Sequence, residues 1–119
     1  MTLRLTPTLL SLTYDVLRET LPFKLWRLPA SDEVEFIVAR TRKHAGAHTT
    51  YVRTREHVIE VSEKCVGHID TLIRVMAHEM VHAAQAQARS TTPNAEHNKD
   101  FQKRAKRVCH HHGFDPKEF

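Results

Sequence analysis

The alternation of apolar and polar positions divides the chain near Gly67. Before it, Leu9, Leu10, Leu12, Val16, Leu17 and Leu21 recur at helical spacing, and Pro22 ends the segment. Thr6 is a cap-type residue, and Pro7 suits the first helical position that follows it. Trp26 and Leu28 stand in a connector closed by Pro29. Glu33–Arg40 (EVEFIVAR) is short and rich in Val, Ile and Phe, which predicts a strand. Thr41–His48 reads as an exposed turn, Thr49–Arg53 as a second strand, and His57–Ser62, with Ile59 and Val61 alternating against Val58, Glu60 and Ser62, as a third. Strands so close in sequence predict an antiparallel meander.

After Gly67 the period changes. Ile69 to about Ala88 is a long helical window without Gly or Pro, and Asp70 is its expected N-cap. Arg89–Glu96 (RSTTPNAE) is a loop around Pro93. His97–His112 is a second helical window, stopped by Gly113. No internal repeat or domain boundary interrupts the pattern. The expectation is one α+β domain over residues 1–119: an N-terminal helix, a small antiparallel three-stranded sheet, a long helix and a C-terminal helix.

Composition agrees with a globular chain. Of 119 residues, 40% are hydrophobic and 27% charged, with 3 Gly and 5 Pro, which excludes collagen-like, low-complexity and wholly disordered classes. No apolar run approaches the roughly 20 residues of a membrane span, and no signal peptide is read, so a cytoplasmic location is expected. Cys65 and Cys109 form no CxxC pair and are expected as free thiols. The net charge is +4, and residues 97–112 account for all of it: Lys99, Lys103, Arg104, Lys106 and Arg107 against Asp100 alone. Two readings are open for that run, an electrostatic patch for nucleic acid or a solvated helix face.

The unusual number is 10 histidines. Two of them stand in His78-Glu79-Met80-Val81-His82, an HExxH inside the long helical window. Residues i and i+4 share one helix face, so two imidazoles reach one ion, and zinc favours neutral imidazole nitrogen. The intervening Glu79 is free to take a proton from water activated by the metal. In a chain with this many His and Glu, chance supplies the motif at a rate of about 6%, so the surroundings decide its weight. On a helical wheel Ile69, Leu72, Ile73, Met76, Met80, Ala83 and Ala84 fill an arc of about 120°, with His78 and His82 on the far side. An apolar back and a histidine front favour a metal site over two exposed histidines.

A catalytic zinc usually has three protein ligands. The metzincin pattern requires Gly and His where this chain has Gln85 and Ala88, so that class is excluded. His97, Glu96, Asp100 and His110, His111 and His112 remain. His97 is favoured, because His97, Phe101, Ala105, Val108 and His112 form one stripe of the last window, with His97 in its first turn. His110–His112 read as surface residues at a helix C-terminus, with His112 able to pack inward. Three histidines thus have assigned work, and the other seven read as background.

The run DTLIRVMAHEMVHAAQ, a loop, and EHNKDFQKRAKRV resembles the SprT-like metalloprotease family, which includes the Spartan DNA–protein crosslink protease. The resemblance covers nearly the whole chain and is strongest from Asp70 to Val108. It implies one zinc ion at His78, His82 and His97, Glu79 as catalytic acid/base, a Phe101-type aromatic four residues after the third His, and a minimal zincin-like fold. The family commonly has Gly beside the third His; here the neighbours are Glu96 and Asn98. No C-terminal zinc ribbon is present, so the form implied is minimal and stand-alone.

The expected function is a zinc metalloendopeptidase acting on a protein or peptide, with DNA-associated proteins among its substrates by resemblance and DNA a partner of Lys99, Lys103, Lys106 and Arg107. Tyr51, Arg53 and the other histidines are candidate oxyanion stabilisers. Two alternatives stand beside it: a nucleic-acid-associated factor with a structural zinc, and a repressor-directed HExxH protease of another lineage with a carboxylate as third ligand.

Overall fold

The computed structural model describes residues 3–51, 54, 56–91 and 95–119. Helix α1 spans Pro7–Arg18, strands β1, β2 and β3 span Val34–Ala39, Gly46–Thr50 and His57–Ser62, and helices α2 and α3 span Ile69–Ala88 and Lys99–His112. Short 3-10 turns at Phe23–Leu25 and Ser31–Glu33 link α1 to β1. The fold is α+β, with three helices packed around a small sheet. Among the described residues no helix is long and apolar enough to cross a membrane.

Helix α1 starts as its sequence dictates: Thr6 Oγ1 accepts from Leu9 N at 3.1 Å, and Pro7 follows. The face it buries differs from the expected apolar set. Leu10, Thr13, Tyr14 and Leu17 point inward, whereas Leu12 and Val16 are 57% and 67% exposed. Tyr14 wins the inward place because its hydroxyl is satisfied there, donating to Pro29 O at 2.6 Å, while its ring meets Phe36 edge-on.

The sheet is mixed, with strand order β1-β3-β2, in place of the expected meander. β3 runs parallel to β1 (Val34 opposite His57) and antiparallel to β2 (Gly46 opposite Val61). The cause lies in β3 itself. His57, Val58, Ile59, Val61 and Ser62 are all buried, and a strand covered on both faces belongs in the middle. Its far end is tied to the β1–β2 connection through Ser62 N to Ala45 O, Glu63 N to Ala39 O and the Ser62 hydroxyl to Thr41 O. β2 begins three residues earlier than expected and lies at one edge of this sheet.

Helix α2 is the centre of the molecule, packed against α1, α3, β2 and β3. Leu72, Met76, Met80, Ala83 and Ala84 of the expected arc are buried, but so are Val75, Ala77, Glu79, Val81 and Gln85 outside it, while Ile69 is exposed. The apolar arc therefore misses a second buried flank, on which Val75 and Glu79 lie against Gly46 of β2. Its N-cap is His68 and not Asp70; Asp70 sits in the first turn, where a carboxylate suits the helix dipole, and accepts from Thr71 N. Arg89 closes α2 in the left-handed conformation (φ 55°), and Ser90 N returns to Gln85 O at 3.0 Å.

Helix α3 starts at Lys99 and not at His97, because Asn98 is its cap: Asn98 Oδ1 accepts from Phe101 N at 2.9 Å. Phe101, Ala105, Val108 and Cys109 face the core. Both cysteines are free, Cys65 exposed and Cys109 buried.

Candidate metal centre

α2 presents His78 and His82 one turn apart, and the loop after α2 returns His97 to them. One ring nitrogen from each of His78, His82 and His97 lies within 4.8 Å of the other two. Ring centroids are 5.1 Å apart for His78–His82, 5.2 Å for His78–His97 and 5.3 Å for His82–His97. Phe101 floors the cluster, 4.6 Å from the His82 ring and 4.4 Å from the His97 ring.

The donor set fits a divalent metal of the zinc type. Ligating imidazole must be neutral. Burial, with the neighbouring His78 and His97 adding to it, pulls the His82 pKa down to about 4, and burial also lowers that of His78. His78 Nδ1 lies 2.8 Å from Phe119 O; that main-chain oxygen accepts, so Nδ1 carries the proton and Nε2 is left with its lone pair.

Glu79 is 5% exposed and sits between α2 and β2. Burial, with a contribution from Glu96, pushes its pKa up to about 8. Gly46 allows the strand this close. A Cβ there would stand 2.8 Å from Val75 Cγ1 and 2.9 Å from Glu79 Oε2.

The other candidate ligands lie elsewhere. Glu96 is near enough to act on Glu79 and His78 electrostatically but stands outside the three-histidine cluster. Asp100 is engaged by Ser90 Oγ, Gln85 Nε2 and Arg104 Nε at 2.7, 3.2 and 2.9 Å. His110 and His111 are exposed, and His112 packs against Phe23 and Phe114 with Thr20 Oγ1 at 3.0 Å from its Nε2. Tyr51 lines the groove but directs its hydroxyl to Glu35 Oε2 at 3.3 Å. Arg53 lies outside the described residues.

The cluster opens into a groove of about 970 Å³ between α2 and β2. Its walls include His44, His48, His57, His78, His82 and His97, so six of the ten histidines gather at one place. That corrects the reading of seven as background. His48 Nε2 and His57 Nδ1 are 2.7 Å apart, and His57 Nε2 is 3.0 Å from Gln87 Oε1. The amide oxygen accepts, so His57 Nε2 is the N–H and its Nδ1 accepts from His48 Nε2. Burial, with His57 and His82 adding to it, holds the His48 pKa down at about 3. The period-two alternation of β3 placed His57 on the face of Ile59 and Val61, which was the signal available in the sequence.

A third missed residue is Gln85. It is 1% exposed, and its amide donates to Asn98 Oδ1 at 2.9 Å as well as to Asp100, while Asn98 Nδ2 donates to Ser90 O at 2.9 Å. The Asn98 backbone is extended (φ −68°), so this network needs no glycine beside His97.

The SprT-like family model matches residues 17–118, and the chain belongs to the SprT-like family. No curated protein matches it.

Proposed function

We propose that the chain is a zinc-dependent metallopeptidase that hydrolyses peptide bonds with Glu79 as general base. The observation that carries the reading is the three-histidine cluster with buried Glu79 beside it. His78, His82 and His97 would hold the ion. What zinc supplies when bound is Lewis acidity, which lowers the pKa of water and polarises a carbonyl. Glu79 takes the proton of the attacking water and delivers it to the leaving amine nitrogen.

The groove supports a peptide as substrate. Among the described residues β2 has one strand neighbour, β3. Ala45 and Tyr51 turn their main-chain groups toward β3, so by antiparallel alternation those of Gly46, His48 and Thr50 face outward. An extended chain laid in the groove meets these unpaired donors and acceptors.

The test is Glu79→Gln. The variant keeps its metal content and circular dichroism spectrum, and cleavage of fluorescently labelled casein falls by about 10²- to 10⁴-fold. Equal cleavage by parent and variant would falsify the assignment.

A second reading, nucleic-acid association, is favoured by one observation. Lys99, Lys103, Lys106 and Arg107 are exposed along α3, and the ion pairs among the described residues, Arg40–Glu63 and Arg104–Asp100, involve none of them. Titration of duplex DNA across salt concentrations decides: phosphate contacts make affinity fall steeply with salt, and no binding at low salt ends the idea.

A further inference from the structure

The last residues fold back over the helix that carries the motif. Gly113 closes α3 in the left-handed conformation (φ 76°), and Asp115 then holds a tight turn. Its carbonyl accepts from Glu118 N at 3.0 Å and Phe119 N at 3.1 Å, and its Oδ1 accepts from Lys117 N at 2.9 Å. The turn offers two successive main-chain oxygens to α2. Arg74 Nη1 donates to Glu118 O at 2.9 Å, and His78 Nδ1 donates to Phe119 O at 2.8 Å. Arg74 and His78 are i and i+4, one turn apart on one face. The Phe119 ring lies 5.4 Å from the His78 ring and is stacked on Phe114 at 5.6 Å. Phe114 in turn stacks on His112 at 5.7 Å.

We propose that Asp115–Phe119 is a positioning strap for the metal site. It holds His78 as the Nδ1–H tautomer, with the ring oriented and Nε2 open for the ion. A neutral imidazole without such a partner divides its proton between two nitrogens and rotates about χ2. The strap removes both freedoms before the metal arrives. Coupling of this kind is reciprocal, so zinc binding tightens the strap on α2 by the factor with which the strap tightens zinc. The inference rests on the metallopeptidase reading for the ion and concerns affinity, not turnover.

The experiment compares the parent with a chain ended after Phe114, using zinc alone and a chromogenic competing chelator. Zinc binds the shortened chain about 10- to 100-fold more weakly, with helical content unchanged. Nitrogen-15 spectra of the metal-free parent show His78 protonated at Nδ1, and the shortened chain shows both tautomers. In the reverse direction, zinc slows amide hydrogen exchange at Glu118 and Phe119, whose N–H groups donate to Asp115 O. Arg74→Ala, in the full chain, loses one of the two ties and gives a smaller loss in the same direction; it decides the matter if the shortened chain does not fold. Parental zinc affinity in the folded shortened chain, or in Arg74→Ala should that chain fail to fold, overturns the strap while leaving the peptidase reading intact. So does a parent His78 protonated at Nε2. A parent that binds no zinc overturns both.

Discussion

The side-chain amide of Gln85, on α2, donates to Asn98 Oδ1, the cap of α3, across 2.9 Å. His97 is the residue before that cap, so the position of the third histidine is set by a buried glutamine three residues after the second. Gln85 donates to Asp100 as well, and Asn98 reaches Ser90 O, which ties both ends of the loop to one polar knot. Gln85→Ala removes two hydrogen bonds from this knot and empties a buried side-chain position, at a cost of about 1–3 kcal/mol. The expected result is a lower melting temperature together with weaker zinc binding, read by chelator competition, whereas His97→Ala loses the metal outright. A Gln85→Ala protein with parental zinc affinity would show that the loop holds His97 by other means.

Gly46 makes a separate prediction. Its role is close approach, since an added Cβ meets Val75 and Glu79 at under 3 Å. Gly46→Ala forces β2 away from α2 and costs about 1–3 kcal/mol. Displacing the general base by about 1 Å lowers turnover on the order of 10²-fold. Metal content stays at the parental level, because the atoms an added Cβ meets most closely belong to Val75 and Glu79 and not to the three histidines. Unchanged turnover with unchanged melting temperature would mean that Glu79 tolerates a different seat.

The metal-free protein has a stability optimum in pH that the site itself sets. His82 and His48 have folded-state pKa values of about 4 and about 3, below the ordinary 6.5, and His78 is lowered too. The unfolded chain therefore binds more protons than the folded one as pH falls below 6.5, and stability is lost on the acid side. Glu79 has the opposite sign: its pKa is raised from 4.5 to about 8, so the folded state binds the extra proton and stability is lost as pH rises through that window. Between 4.5 and 6.5 three histidines outweigh one carboxyl; from 6.5 to about 8 Glu79 is the group of this site that acts. The maximum lies near pH 6.5, with the steeper fall on the acid side, in urea melts of chelator-treated protein. A maximum far above pH 8 would contradict the burial of Glu79.

Much of this was legible in the sequence because it is local. The Thr6-Pro7 start, the bounds of β3, the HExxH helix and the Gly113 stop each follow from a few neighbouring residues, and the stripe through His97 and Phe101 brought the third histidine to the other two. What the pattern left out depends on partners far along the chain. Tyr14 displaces Leu12 and Val16 from the core because Pro29 offers an acceptor. β3 enters between β1 and β2 because both its faces are buried, which adjacency in sequence does not reveal. The His97 stripe carries the expected helix two residues past its true start and so hides Asn98 as the cap, and His48 meets His57 only once β2 and β3 are in register.

Helix α2 packs against α1, α3, β2 and β3 while carrying two of the three clustered histidines and the buried Glu79. A change on this helix therefore strains the fold and the site together. A mutational library scored for folding alone would already reject most changes between Leu72 and Gln85. One scored for activity on different peptides would find its variants in β2 and in the residues bordering the groove beyond α2, where substrate preference can drift without touching the catalyst.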